Sequence, residues 1–124
     1  MIVPALKYPS HMAEGAQWQI FAGGSSLGQT GSAGELILRD EEFDSLARIT
    51  LEQAATRFAI TCGVDGWMVH TPLFVSQGTA ESELERMKSD LQEIVSGLPD
   101  SLSDAEAMQR TIVAVNVFVE RYPT

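Results

Sequence analysis

A chain of 124 residues, 44% apolar and 20% charged, has the length and composition of one domain that closes a core without disulfide or metal support. Its formal charge of −9, with only 8 Lys and Arg, argues against nucleic acid and against an anionic membrane surface, since both demand clustered cations. The single Cys62 leaves no intramolecular disulfide and no multi-cysteine zinc site, and no window approaches the ~18 consecutive apolar residues of a membrane span.

Residues 1–16 read as a loosely ordered lead-in, interrupted by Pro4 and Pro9, with a short strand at Ile2–Leu6. They lack the apolar centre of a signal peptide, so a cytoplasmic location is the expectation. QWQIFA (17–22) alternates as a strand, with Trp18, Ile20 and Ala22 on one side. GGSSLGQTGSAG (23–34) holds five glycines and three serines, a composition that favours a flexible loop over a regular element. ELILR (35–39) resumes as a strand, DEEFD reads as an acidic loop or helical turn, and ARITLE (47–52) alternates cleanly. In ARITLE, Ala47, Ile49 and Leu51 share one face; Arg48, Thr50 and Glu52 share the other.

Asp65-Gly66 separates two β-rich runs, RFAITCGV and WMVHTPLFV, and is a strong signal for a two-residue hairpin turn. Such a turn would place Cys62 opposite Val69 and Thr61 opposite His70. Phe58, Ile60, Cys62, Val64, Trp67, Val69, Leu73 and Val75 would then form the core side. Thr61, Met68, His70 and Phe74 would lie on the outer side, with Pro72 marking an edge or a bulge.

From residue 79 the period becomes helical. Thr79 caps a helix over 80–97 in which Leu84, Met87, Leu91, Ile94 and Val95 form the apolar stripe, and Gly97 and Pro99 end it. Ser103 with Glu106 forms a capping box for a second helix. Its TIVAVNVFV segment (111–119) is apolar nearly all round, which predicts burial, although its β-branched residues also suit a strand. Strands followed by helices predict a single α+β domain over 1–124: an antiparallel meander of about four to six strands with two C-terminal helices on one face.

No stretch carries decisive chemistry. GSSLG (24–28) matches G-x-S-x-G formally, but the glycine-rich continuation is no elbow helix. Cys62 and His70 would point to opposite faces across the expected turn, and a one-residue bulge would bring them to the same face. His11 and His70 fall in no metal-binding pattern, the DEEFD run lacks calcium-loop spacing, and no cofactor is expected. Two places remain. The outer sheet face offers Arg48, Thr50, Glu52, Thr61 and His70, with Met68 and Phe74 nearby. The first helix offers the acids Glu81, Glu83 and Glu85.

The acid is concentrated. Residues 35–45 carry five acids against Arg39, and residues 79–106 carry eight against Arg86 and Lys88. In size and charge the organisation resembles small, acidic, single-domain bacterial immunity or adaptor proteins, which bind a partner and perform no reaction. That resemblance implies a non-enzymatic module that uses an acidic surface to hold a basic protein partner, with a homodimer also allowed. One alternative is a small-molecule site between loop 23–34 and the sheet. Another is a small hydrolase using Ser26 or Cys62 with His70.

Overall fold

The computed structural model describes residues 17–31 and 34–124. The strand expected at Ile2–Leu6 lies outside the described residues. Six antiparallel strands form one sheet: β1 (Trp18–Ile20), β2 (Leu36–Phe43), β3 (Ala47–Gln53), β4 (Phe58–Val64), β5 (Met68–His70) and β6 (Leu73–Phe74). The order is β1-β2-β3-β4-β5, and β6 pairs with the start of β4. Helices α1 (Gln77–Ser96) and α2 (Ala105–Arg121) follow, so the expected α+β architecture is present. Among the described residues no helix is long and apolar enough to cross a membrane.

The core lies between the sheet and α1. Ala47, Ile49 and Leu51 of β3 and Ile60, Cys62 and Val64 of β4 meet Leu84, Met87, Leu91 and Val95 of α1. Period two in the strands and period 3.6 in the helix each bring one apolar row to the same plane. Ser76 caps α1 by accepting from the Thr79 amide, and Asp104 caps α2 by accepting from the Ala107 amide. The expected caps, Thr79 and Ser103, are each displaced toward a residue whose side-chain oxygen reaches an otherwise unpaired amide.

Three elements differ from the sequence expectation. The acidic run 40–43 is strand, because β2 continues to Phe43, which pairs with Ala47 and is fully buried. The chain reverses at Asp44 and Ser45, both at positive φ. At the start of the sheet, β1 ends at Ile20, since Ala22 and Gly23 turn left-handed. Finally, the loop between β4 and β5 has three residues, Asp65, Gly66 and Trp67, with Gly66 at φ +79° and the Trp67 amide donating to Val64 O.

That third residue shifts the hairpin register. Val64 pairs with Met68, Gly63 with Val69, and Cys62 with His70. A slip of one position turns every side chain to the other face. Met68, His70 and Phe74 therefore face the helices, while Val69, Leu73 and Val75 are exposed. Trp67 still packs against the core from within the turn.

Helix α2 is a helix throughout 111–119, and the expectation of complete burial fails there. Ala107, Thr111, Phe118 and Tyr122 are buried, but Ile112, Val113, Val117 and Val119 reach solvent.

Candidate functional site

The face of the sheet turned away from the helices is covered by the glycine-rich loop. Gly28 N donates to Ile37 O, Ile37 N to Gln29 O, and Gly31 N to Glu35 O, so residues 28–31 run back alongside β2. A Cβ on Gly31 would stand 2.3 Å from Glu52 Oε1, so any larger residue there would have to displace the Glu52 carboxylate. Glu52 is fully buried beneath it and accepts from the Glu35 amide. The loop expected to be flexible is thus tied to the sheet over its described residues.

Asp40 is the centre of this face. Its carboxylate accepts from Arg48 Nε at 2.9 Å and Nη2 at 2.7 Å, from Ser26 Oγ at 2.8 Å and from Thr50 Oγ1 at 3.0 Å. Burial alone would raise the Asp40 carboxyl; the bonds from Arg48, Ser26 and Thr50 outweigh it and hold the group below the ordinary carboxylate range. Arg48 is held flat on its other side by the Phe21 ring, 3.5 Å from the guanidinium carbon. These bonds use Nε and Nη2, and the Arg48 side chain remains 47% exposed.

Between loop and sheet lies a cavity of about 480 Å³. Ser26, Gln29, Thr30 and Gly31 form its roof; Ile37, Arg48, Thr50, Thr61 and Gly63 form its floor; Val69, 79% exposed, stands at its edge. A neighbouring depression shares Arg48, Gly63 and Val69 and is bounded by Phe21 and Trp67, so Arg48 separates two concave surfaces.

The structure brings Arg48, Thr50 and Thr61 together in one cavity, as their alternation on the sheet predicts. Glu52 shares their face but is sealed under Gly31. Met68, His70 and Phe74 are corrected to the opposite face, because the three-residue turn inverts β5 and β6 relative to the two-residue expectation. Asp40, Phe21 and Ile37 were not among the expected site residues. The signal for Asp40 was Phe43, which closes the acidic run with a core residue, and the Asp44-Ser45 pair, which can turn a hairpin; nothing local marked Phe21 or Ile37.

Neither hydrolase constellation is assembled. Ser26 Oγ donates to Asp40 on the outer face, whereas His70 faces the helices. Cys62 and His70 share a face, yet Cys62 Sγ points to the His70 carbonyl oxygen at 3.4 Å and the imidazole Nε2 contacts Tyr122 O. Burial pushes the Cys62 thiol up to about 12, so it is not a thiolate near neutral pH.

The helical acids are engaged within the chain. Glu83 pairs with Arg86 at 2.9 Å, Glu85 with Arg39 at 2.7 Å, and Glu81 accepts from Gln77 at 2.8 Å. Glu41 ties Arg39 to Lys88 across β2 and α1. Burial opposes ionisation of Glu41, but its bonds from Lys88 and Arg39 prevail and lower its carboxyl. Among the described residues no group of three or more His, Cys, Asp and Glu side chains is placed to hold a metal. No protein-family model, curated protein or solved structure matches the chain.

Proposed function

We propose that this protein is a binding module whose site is the cavity between the glycine-rich loop and the outer sheet face. The ligand is a small molecule, largely apolar, that carries one carbonyl or carboxylate group. The observation behind this reading is the half-open cleft of about 480 Å³ in which Ile37, Gly63 and Val69 supply apolar wall and Arg48 supplies an oriented donor. Such a volume suits a small ligand, and a few fixed polar groups in an apolar lining set its orientation. Asp40 and Phe21 clamp Arg48, so its guanidinium is ordered before the ligand arrives, which lowers the entropic cost of binding.

The intramolecular pairing of Glu83 and Glu85 lowers the weight of an acidic docking face, because a basic partner would have to displace Arg86 and Arg39. The test is a fragment screen by NMR with short-chain fatty acids and their methyl ketones as probes. Binding at the proposed site shifts the amides of Ser26–Gly31, Thr61 and Gly63 together. A V69W variant, whose larger ring fills the cavity mouth from an exposed position, abolishes those shifts. Probes that bind without moving these amides, or that bind the variant equally well, would sink the proposal.

A further inference from the structure

Helix α2 presents a second surface, and its pattern is self-complementary. Opposite the buried side of the helix, Arg110, Val113, Val117 and Glu120 form one exposed stripe, with Val113 51% and Val117 45% accessible. Steps of three, four and three residues make this stripe symmetrical about position 115. Read forwards it is base, apolar, apolar, acid; read backwards it is the reverse. Two copies laid antiparallel about a two-fold axis at that position oppose Arg110 to Glu120 of the second copy and Val113 to Val117 of the second copy, each twice. A two-fold interface requires this reciprocity, in which one patch serves both partners.

Two further observations select the same surface. Neither Arg110 nor Glu120 takes part in an ion pair among the described residues, so each is available to a partner. The chain carries −9 overall, and like-charged copies repel. Helix α2 balances Glu106 and Glu120 against Arg110 and Arg121, whereas α1 has five acids against Arg86 and Lys88. The neutral helix is where two copies can approach.

We propose that a second copy of this chain docks on α2 in antiparallel register, with Val113 and Val117 as apolar centre and Arg110–Glu120 pairs at both ends. The proposal is independent of the ligand site, which lies on the outer face of the sheet. One helix face is a small interface, so the dimer is concentration-dependent.

Sedimentation equilibrium of the whole chain from about 10 µM to about 1 mM tests it. The mass is expected to rise toward twice the 13.5 kDa of one chain. V113E, at an exposed position that leaves the core intact, weakens association at least about tenfold. R110E alone and E120R alone each weaken it as well, because like charges then meet at both ends. An equimolar mixture of R110E and E120R regains association, since every end pair in the mixed dimer is again opposite in sign. Circular dichroism checks that each variant keeps its helices. A chain that stays monomeric throughout, a dimer untouched by V113E, or single swaps that are not rescued by mixing would overturn the proposal.

Discussion

On the helix side of the sheet, Phe43, Ile49, Leu51, Ile60 and Val64 are closed off by the apolar stripe of α1. On the loop side, Asp40, Thr50 and Glu52 are closed off by glycine-rich backbone and by Arg48 and Ser26. Alternate residues of the same strands therefore enter two kinds of interior. The first holds by non-directional burial and tolerates no void. The second holds by directed bonds to charged groups, and it leaves space beside them. Dense apolar packing makes a foundation, whereas a polar interior with a backbone roof can present oriented donors to a ligand.

The contrast can be broken from either side. Leu84→Ala removes a fully buried side chain from the helix side and should cost about 3 kcal/mol in urea unfolding, with the same loss at every pH from neutral to mildly acidic. The loop-face amide shifts of the folded variant should stay unchanged.

Asp40→Asn acts on the other side. It removes the carboxylate that Arg48 bonds through two nitrogens, while Glu42 and water still act on the half-exposed guanidinium, so the expected cost is about 2 kcal/mol. This variant also sharpens the pH comparison. The folded protein holds the Asp40 carboxyl below its ordinary range, so its stabilisation is complete above about pH 4 and is lost as pH falls through the lower folded value. Glu41 follows the same sign. Acid should therefore destabilise the parent protein more steeply than Asp40→Asn. Equal acid slopes in the two would show that the cluster does not couple to the fold.

The smallest effect belongs to the surface. Glu85→Gln removes an exposed partner of Arg39 while Glu41 still holds that guanidinium, so stability should fall by only about 0.3 kcal/mol. A loss of several times that size would mean that the network between β2 and α1 is as important to the fold as the buried cluster is.

Much of this architecture was legible in the chain. ARITLE placed Ile49 and Leu51 inward and Arg48 and Thr50 outward, because a paired strand alternates strictly. The row from Leu84 to Val95 announced α1, because residues three and four apart share a helical face. The switch from one period to the other gave the fold class. These are local properties, set by backbone geometry and by which side chains water rejects.

What lay beyond the sequence was non-local. The composition of Asp65-Gly66-Trp67 did not reveal whether two or three residues turn the hairpin, yet that count sent His70 and Met68 inward and Val69 outward. The acids of DEEF looked solvated, and only the crossing of β2, β3 and the glycine loop made Asp40 a buried anchor. The apolar run in α2 demanded cover, but no strand of this sheet lies over Val113 and Val117. Local sequence determined which elements form and which rows within them are apolar. Tertiary structure alone decided which rows meet, because register and burial depend on what the rest of the chain places opposite them.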